Sequence, residues 1–176
     1  MSLPNFKTHK LEVHLQVLGT LCLLLRKVRR EGLMSIENDI EDMRRSILIQ
    51  SMGHYDEAND PVYTFISDVM RIMVSGNLNA SENGQYMEAY RKTTVLVGVQ
   101  ESMFEVARLT LIANLNGYPP KMCMEFGRQG IPAKSKPSFQ ELEKFISEVI
   151  EIGKKPEPSL ETDEARLNLF FNSLGG

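Results

Sequence analysis

The sequence predicts an all-α domain, and three observations carry that prediction. Apolar residues recur at three- and four-residue spacing along most of the chain, residues that start and stop helices stand at the ends of those runs, and no segment shows the strict alternation of a half-buried strand. The expectation is a helical domain of about five or six helices over residues 1–153, a linker at 154–160 and an amphipathic helical tail at 161–176, with no transmembrane helix.

The first helix is expected from about Leu11 to Arg30. One stripe reads Leu11, Leu15, Leu18, Cys22, Leu25, and a second, on nearly the opposite face, reads Val13, Val17, Leu21, Leu24, Val28. A helix apolar on two opposed sides is either buried between layers of its own chain or shared with a partner. Gly32 ends it, with Arg26, Lys27, Arg29 and Arg30 complementing its C-terminal dipole.

A second helix is expected near Ser35 as N-cap, with acids in its opening turns and a buried face of Ile36, Ile40, Met43 and Ile47. Asp60-Pro61 starts a third, as cap and first-turn proline, whose face is Val62, Phe65, Ile66, Val69, Met70 and Met73, with Gly76 as its stop. Ser81 opens a long helical region reaching about Leu115, interrupted in character at Thr93-Thr94-Val95 and Gly98. Asn116 to Pro120 is a turn, and a short helix then carries Met122 to Phe126. Ser138-Phe-Gln-Glu141 is the clearest capping box and starts a helix burying Leu142, Phe145, Ile146, Val149 and Ile150 up to Gly153. In the tail, Leu167, Phe170, Phe171 and Leu174 follow i, i+3, i+4, i+7 spacing; that face either folds back on the core or docks in a groove of another protein.

Composition narrows the function. With 42% hydrophobic and 24% charged residues and a net charge of −3, the chain has an ordinary globular make-up and no basic footprint for nucleic acid. The longest apolar-or-small stretch, Val17 to Leu25, and the shorter Thr93 to Val99 fall well below the roughly 20 residues a spanning helix needs. The N-terminus makes no convincing signal peptide. Cys22 and Cys123 read as buried small hydrophobes. His9 and His14 have the wrong spacing for two ligands on one helical face, His54 stands alone, and no phosphate loop, paired cysteine motif or nucleophile elbow is present. Neither a metal, nor a cofactor, nor an enzyme activity is expected. Asn79-Ala80-Ser81 matches a glycosylation sequon and is more simply a helix cap.

Several blocks then point to a family. Val28-Arg-Arg-Glu-Gly-Leu-Met-Ser-Ile-Glu-Asn-Asp-Ile-Glu41 and Phe65-Ile-Ser-Asp-Val-Met-Arg-Ile-Met-Val-Ser-Gly-Asn-Leu-Asn79 are followed, in order, by Leu109-Thr-Leu-Ile-Ala-Asn-Leu-Asn-Gly-Tyr-Pro-Pro120, Glu125-Phe-Gly-Arg128 and Pro137-Ser-Phe-Gln-Glu-Leu-Glu143. From about residue 15 to about residue 145 the chain resembles the cytoplasmic part of MotA-type flagellar stator proteins, in the MotA/TolQ/ExbB superfamily. The family has two membrane hairpins that this sequence lacks, so its ion-conduction chemistry does not carry over.

What the resemblance implies is a protein-binding face. It places Arg29 and Glu37 on the family's charged contacts with the rotor protein FliG, with Arg26, Arg30 and Glu41 as supporting charge. Read without it, the same basic cluster is a solvated helix end stabilised by the dipole. The resemblance implies a non-enzymatic cytoplasmic adaptor working at the inner face of the bacterial inner membrane, through a FliG-like rotor protein or stator or envelope-complex subunits. The alternatives are a scaffold subunit of another membrane-associated complex, such as secretion machinery, or a stator artificially stripped of its hairpins. Without the hairpins, a monomer or weak homo-oligomer is expected. The resemblance is silent on the tail.

Overall fold

The computed structural model describes residues 9–52, 57–76 and 79–154. Among them are eight α-helices and three short 3-10 turns, with no strand. Six of the helices are long: α1 (His9–Glu31), α4 (Asp60–Ser75), α5 (Ala80–Thr93), α6 (Val99–Leu115), α7 (Pro120–Gln129) and α8 (Phe139–Ile152). Two are short, α2 (Glu37–Glu41) and α3 (Ile47–Gln50). The all-α expectation holds.

α1 is the central rod. From Val13 to Leu25 it carries no charged residue, and all of that stretch but Gln16 is buried. α3, α6, α7, α8 and the 3-10 turn Leu33–Ile36 all pack on it. Both apolar stripes are thus used inside one chain, which decides between the two sequence readings of this helix. His14 is an inner residue too, its Nε2 2.7 Å from Ser102 Oγ at the start of α6. It lies inside α1.

Close approach of α6 and α7 depends on two glycines. A Cβ at Gly127 would collide with Thr110 Oγ1 and Leu18 Cδ2, and one at Gly130 would lie 2.7 Å from the Val106 backbone nitrogen. α4, α5 and α6 meet at an aromatic cluster. The Phe65 ring centroid is 4.2 Å from that of Phe104, in close contact, and 5.1 Å from that of Tyr90, within the range where tilted ring pairs attract.

Three boundaries differ from the sequence reading. The region from Ser81 to Leu115 is two helices that break between Thr93 and Gly98, where the sequence marked an interruption, and the first of them starts at Ala80 rather than Ser81. α5 is capped by Asn79, whose side chain accepts from Glu82 N while Glu82 returns a bond to Asn79 N. α6 starts after Gly98 at φ 58, and buried Gln100 secures that start by accepting from Val97 N and donating to Ala58 O. Asp60 is the first residue of α4, with Asn59 in the cap position, a one-residue shift of the usual size at helix ends. Ser138 and Glu141 form the expected capping box at α8.

The third difference concerns the segment after Gly32. Ser35 does not cap a helix. It lies inside the 3-10 turn, and its Oγ donates to Gly32 O at 2.6 Å. α2 then runs only to Glu41, because Asp42 leaves helical geometry at φ −138, ψ 89. Ser46 caps a new short helix, accepting from Ile49 N at 3.3 Å. The break shifts the register. Ile36, Ile40 and Met43 are buried as expected, but Ile47 is 48% exposed and Ile49, at 3%, takes its place.

Candidate partner-binding face

The charged residues singled out by the sequence gather at one end of α1. Gly32, at φ 91, turns the chain, and its N–H donates to Val28 O at 2.8 Å. Arg29 therefore stands on the last turn of α1 and Glu37 on the first turn of α2, on either side of one tight connection. Both side chains are exposed, and neither makes an ion pair among the described residues. Arg30, also exposed, is paired to its neighbour Glu31, and that contact holds the Glu31 carboxyl below its usual range. Arg26 is half-buried and Glu41 exposed.

Lys27, which the sequence reading placed with the charges complementing the helix dipole, has a structural task. Its Nζ lies 2.9 Å from Asp39 Oδ2, both groups largely buried, and Ser46 Oγ donates to the other Asp39 oxygen at 2.6 Å. One carboxylate thus joins α1, α2 and the start of α3. Such a site needs its partners, because a largely buried polar group left unpaired costs about 1–3 kcal/mol.

A second set of fasteners comes from α4. A helix of five residues leaves most of its carbonyls without intrahelical partners. Ser67 Oγ donates to Ile40 O, and Arg71 Nη2 donates to Ile40 O and Glu41 O, each at 3.1 Å. Arg44 pairs with Asp60 at the start of α4. None of these roles was visible in the sequence. Serine and arginine on a helix face read as surface residues until the short helix opposite them is known.

Open grooves flank this segment. One of about 650 Å³ runs between Lys27, Asn38, Asp39, Arg45, Ser46 and Ile47. A smaller one, about 160 Å³, lies between the 40–44 stretch and the α4 residues Asp60, Thr64 and Arg71. Both are shallow and lined by charge, unlike the enclosed, mostly apolar cavities that hold small molecules. The exposed Leu33 and Met34 sit between Arg29 and Glu37 in the chain and add apolar contact area at the tip.

The thiols lie in the core. Burial pushes both Cys22 and Cys123 up to about 11, so they stay protonated at neutral pH, and Cys123 Sγ donates to Tyr118 O at 3.4 Å. Among the described residues no group of three or more His, Cys, Asp and Glu side chains is gathered as a metal would require, and no helix is long and apolar enough to cross a membrane. Leu167, Phe170, Phe171 and Leu174, together with the linker after Lys154, lie outside the described residues.

Comparison with known proteins gives two relatives. Motility protein A of Escherichia coli is 24% identical over an alignment covering 87% of this chain and 75% of that protein. Motility protein A of Salmonella typhimurium is 23% identical with the same coverage. Each alignment is 227 positions long, so part of the relatives' aligned sequence has no counterpart among these 176 residues. No family model and no solved structure matches.

Proposed function

Because the chain is a distant relative of Motility protein A, we propose that it is a non-enzymatic binding module derived from a stator subunit, engaging a protein partner through the face around Arg29 and Glu37. The observation that carries this reading is the pair itself. Two opposite charges are displayed across a single turn, without ion-pair partners among the described residues, on a segment fastened through Asp39, Ser46 and the carbonyls of Ile40 and Glu41. Exposed charge pairs contribute only about 0–1 kcal/mol each, so a partner matching them is steered into place and released easily. A rotor protein of the FliG type fits that description, with the chain at the cytoplasmic side of the inner membrane as a monomer or weak oligomer.

The part of the relatives without a counterpart here favours a second reading. In it the fold serves as a scaffold subunit of another membrane-associated complex, and the charged tip is no longer used. One experiment separates the two. Binding of the full chain to a FliG-type rotor protein is measured by calorimetry, for wild type, for Arg29→Glu, and for Arg29→Glu against a partner carrying the reciprocal reversal. We expect weak binding, lost in the variant and restored by the reciprocal change. Binding insensitive to Arg29→Glu and Glu37→Lys removes the tip from the account.

A further inference from the structure

The larger groove beside the charged tip has an apolar wall that the core does not use. Ile47, the first residue of α3, is 48% exposed and lines that groove of about 650 Å³. The apolar spacing Ile36, Ile40, Met43, Ile47 predicts it inside. It faces outward because the chain leaves helical geometry at Asp42 and restarts at Ser46. The restart is firmly held. Ser46 Oγ accepts from Ile49 N and donates to the buried Asp39 carboxylate, so Ile47 stands on a fixed turn. A β-branched side chain set in place this way loses little freedom when a partner covers it.

The groove is continuous with the tip. The 3-10 turn Leu33–Ile36 passes directly into α2, with Ile36 and Ile40 inward and Met34, Asn38 and Glu41 outward at i, i+4 and i+7. Met34 is 64% exposed and stands one turn before Glu37, while Asn38 and Glu41 line the groove. Charge on this surface is unbalanced. Lys27 offsets Asp39, and Arg45 pairs with Asp42 at 3.4 Å. Glu41 is left exposed and without an ion-pair partner among the described residues, so the groove has an uncompensated negative charge at its rim.

From this arrangement we propose that a protein partner lays a basic, amphipathic segment along α2 into the groove. Its apolar side chains cover Ile47 and Met34, and a lysine or arginine stands beside Glu41. The charge left over at Glu41 sets the sign of the segment, and the shallow, open form suits a stretch of chain rather than an enclosed small molecule. The inference rests on the reading of this end of the molecule as the partner-binding face, and it names the chemistry of what binds there. Exposed charges act mainly on approach, whereas apolar area removed from water slows release.

The test measures binding of the full chain to the FliG-type rotor protein, as association and dissociation rates at low and at high salt. Ile47→Ser is expected to weaken binding about fivefold to tenfold, through faster dissociation and to the same extent at both salt concentrations. Ile47→Leu keeps the apolar area and is expected to bind within about twofold of wild type. Glu41→Gln should weaken binding by up to about fivefold at low salt and by less at high salt. Ile47 and Glu41 lie outside the packed core, and circular dichroism checks that each variant keeps the fold. Binding that needs Arg29 but ignores Ile47→Ser and Glu41→Gln overturns this inference alone. Binding that needs Ile47 but ignores Arg29→Glu and Glu37→Lys supports the groove and removes the tip charges. Absence of binding by the wild type overturns both readings. Self-association of the wild type that Ile47→Ser abolishes gives the groove to a second copy and overturns the proposal.

Discussion

The slab built on α1, α6 and α7 and the edge from Gly32 to Met52 hold their helices by different means. In the slab, long helices bury uncharged faces and meet at glycines, so that backbones nearly touch at Gly127 and Gly130. At the edge, helices of five and four residues have too little apolar surface to fix themselves. They are held by Lys27, Asp39, Ser46, Ser67 and Arg71, each satisfying a specific backbone or side-chain group. Apolar packing is non-directional and strong in sum, whereas polar fasteners fix position and leave the outer surface free for charge. The edge therefore holds Arg29 and Glu37 in place without burying them.

Three substitutions sharpen this contrast. The largest effect belongs in the slab. Phe104→Ala empties the site where α4, α5 and α6 meet, and chemical denaturation is expected to show a loss of about 3–5 kcal/mol with all helices melting together. If the 32–52 segment alone were lost, the slab would not be the source of its support.

Asp39→Ala should cost less globally, about 1–3 kcal/mol, because Lys27 is partly solvated and only Ser46 loses a buried partner. Its signature is local. Hydrogen exchange should quicken from Gly32 to Met52 and stay unchanged in α6 and α7. Uniform quickening would mean that the edge is part of the slab's cooperative unit.

The smallest effect is a pH dependence within the slab. Hydrogen bonds from Arg128 hold the Glu125 carboxyl below its usual value of 4.5, with Gln129 adding to the shift. A lowered folded-state pKa contributes stability that is present above 4.5 and lost as the pH falls through the folded value. The stability gap between wild type and Glu125→Gln should therefore be constant near neutrality and narrow in acid. A gap independent of pH would show that the ion pair between Glu125 and Arg128 does not distinguish folded from unfolded chain.

The slab was largely legible in the sequence, and the edge was not. α4 and α8 announced themselves through amphipathic spacing, and Ser138 through its capping partner three residues on. Both stripes of α1 were visible, and the choice between core and interface needed α6, α7 and α8 in place. At the edge the apolar spacing from Ile36 to Ile47 favours one helix, and local polar competition at Asp42 and Ser46 overrides it. Gln100 and Arg71 satisfy backbone groups 42 and 31 residues away, a relation that spacing along the chain does not encode. The charged tip was found through family resemblance, since its residues alone read as an ordinary solvated helix end.

The contact between His14 and Ser102 gives the molecule a direction. It sets the start of α6, and with it the connection 94–98, beside the early turns of α1, while Arg29 stands fifteen residues further along the same rod, or about 22 Å away at helical rise. Whatever is attached at the 94–98 connection, including the exposed Val95 and Val97, is held by one continuous helix at a fixed remove from the tip. The buried rod thus fixes the separation between the charged turn and the contact of His14 with Ser102.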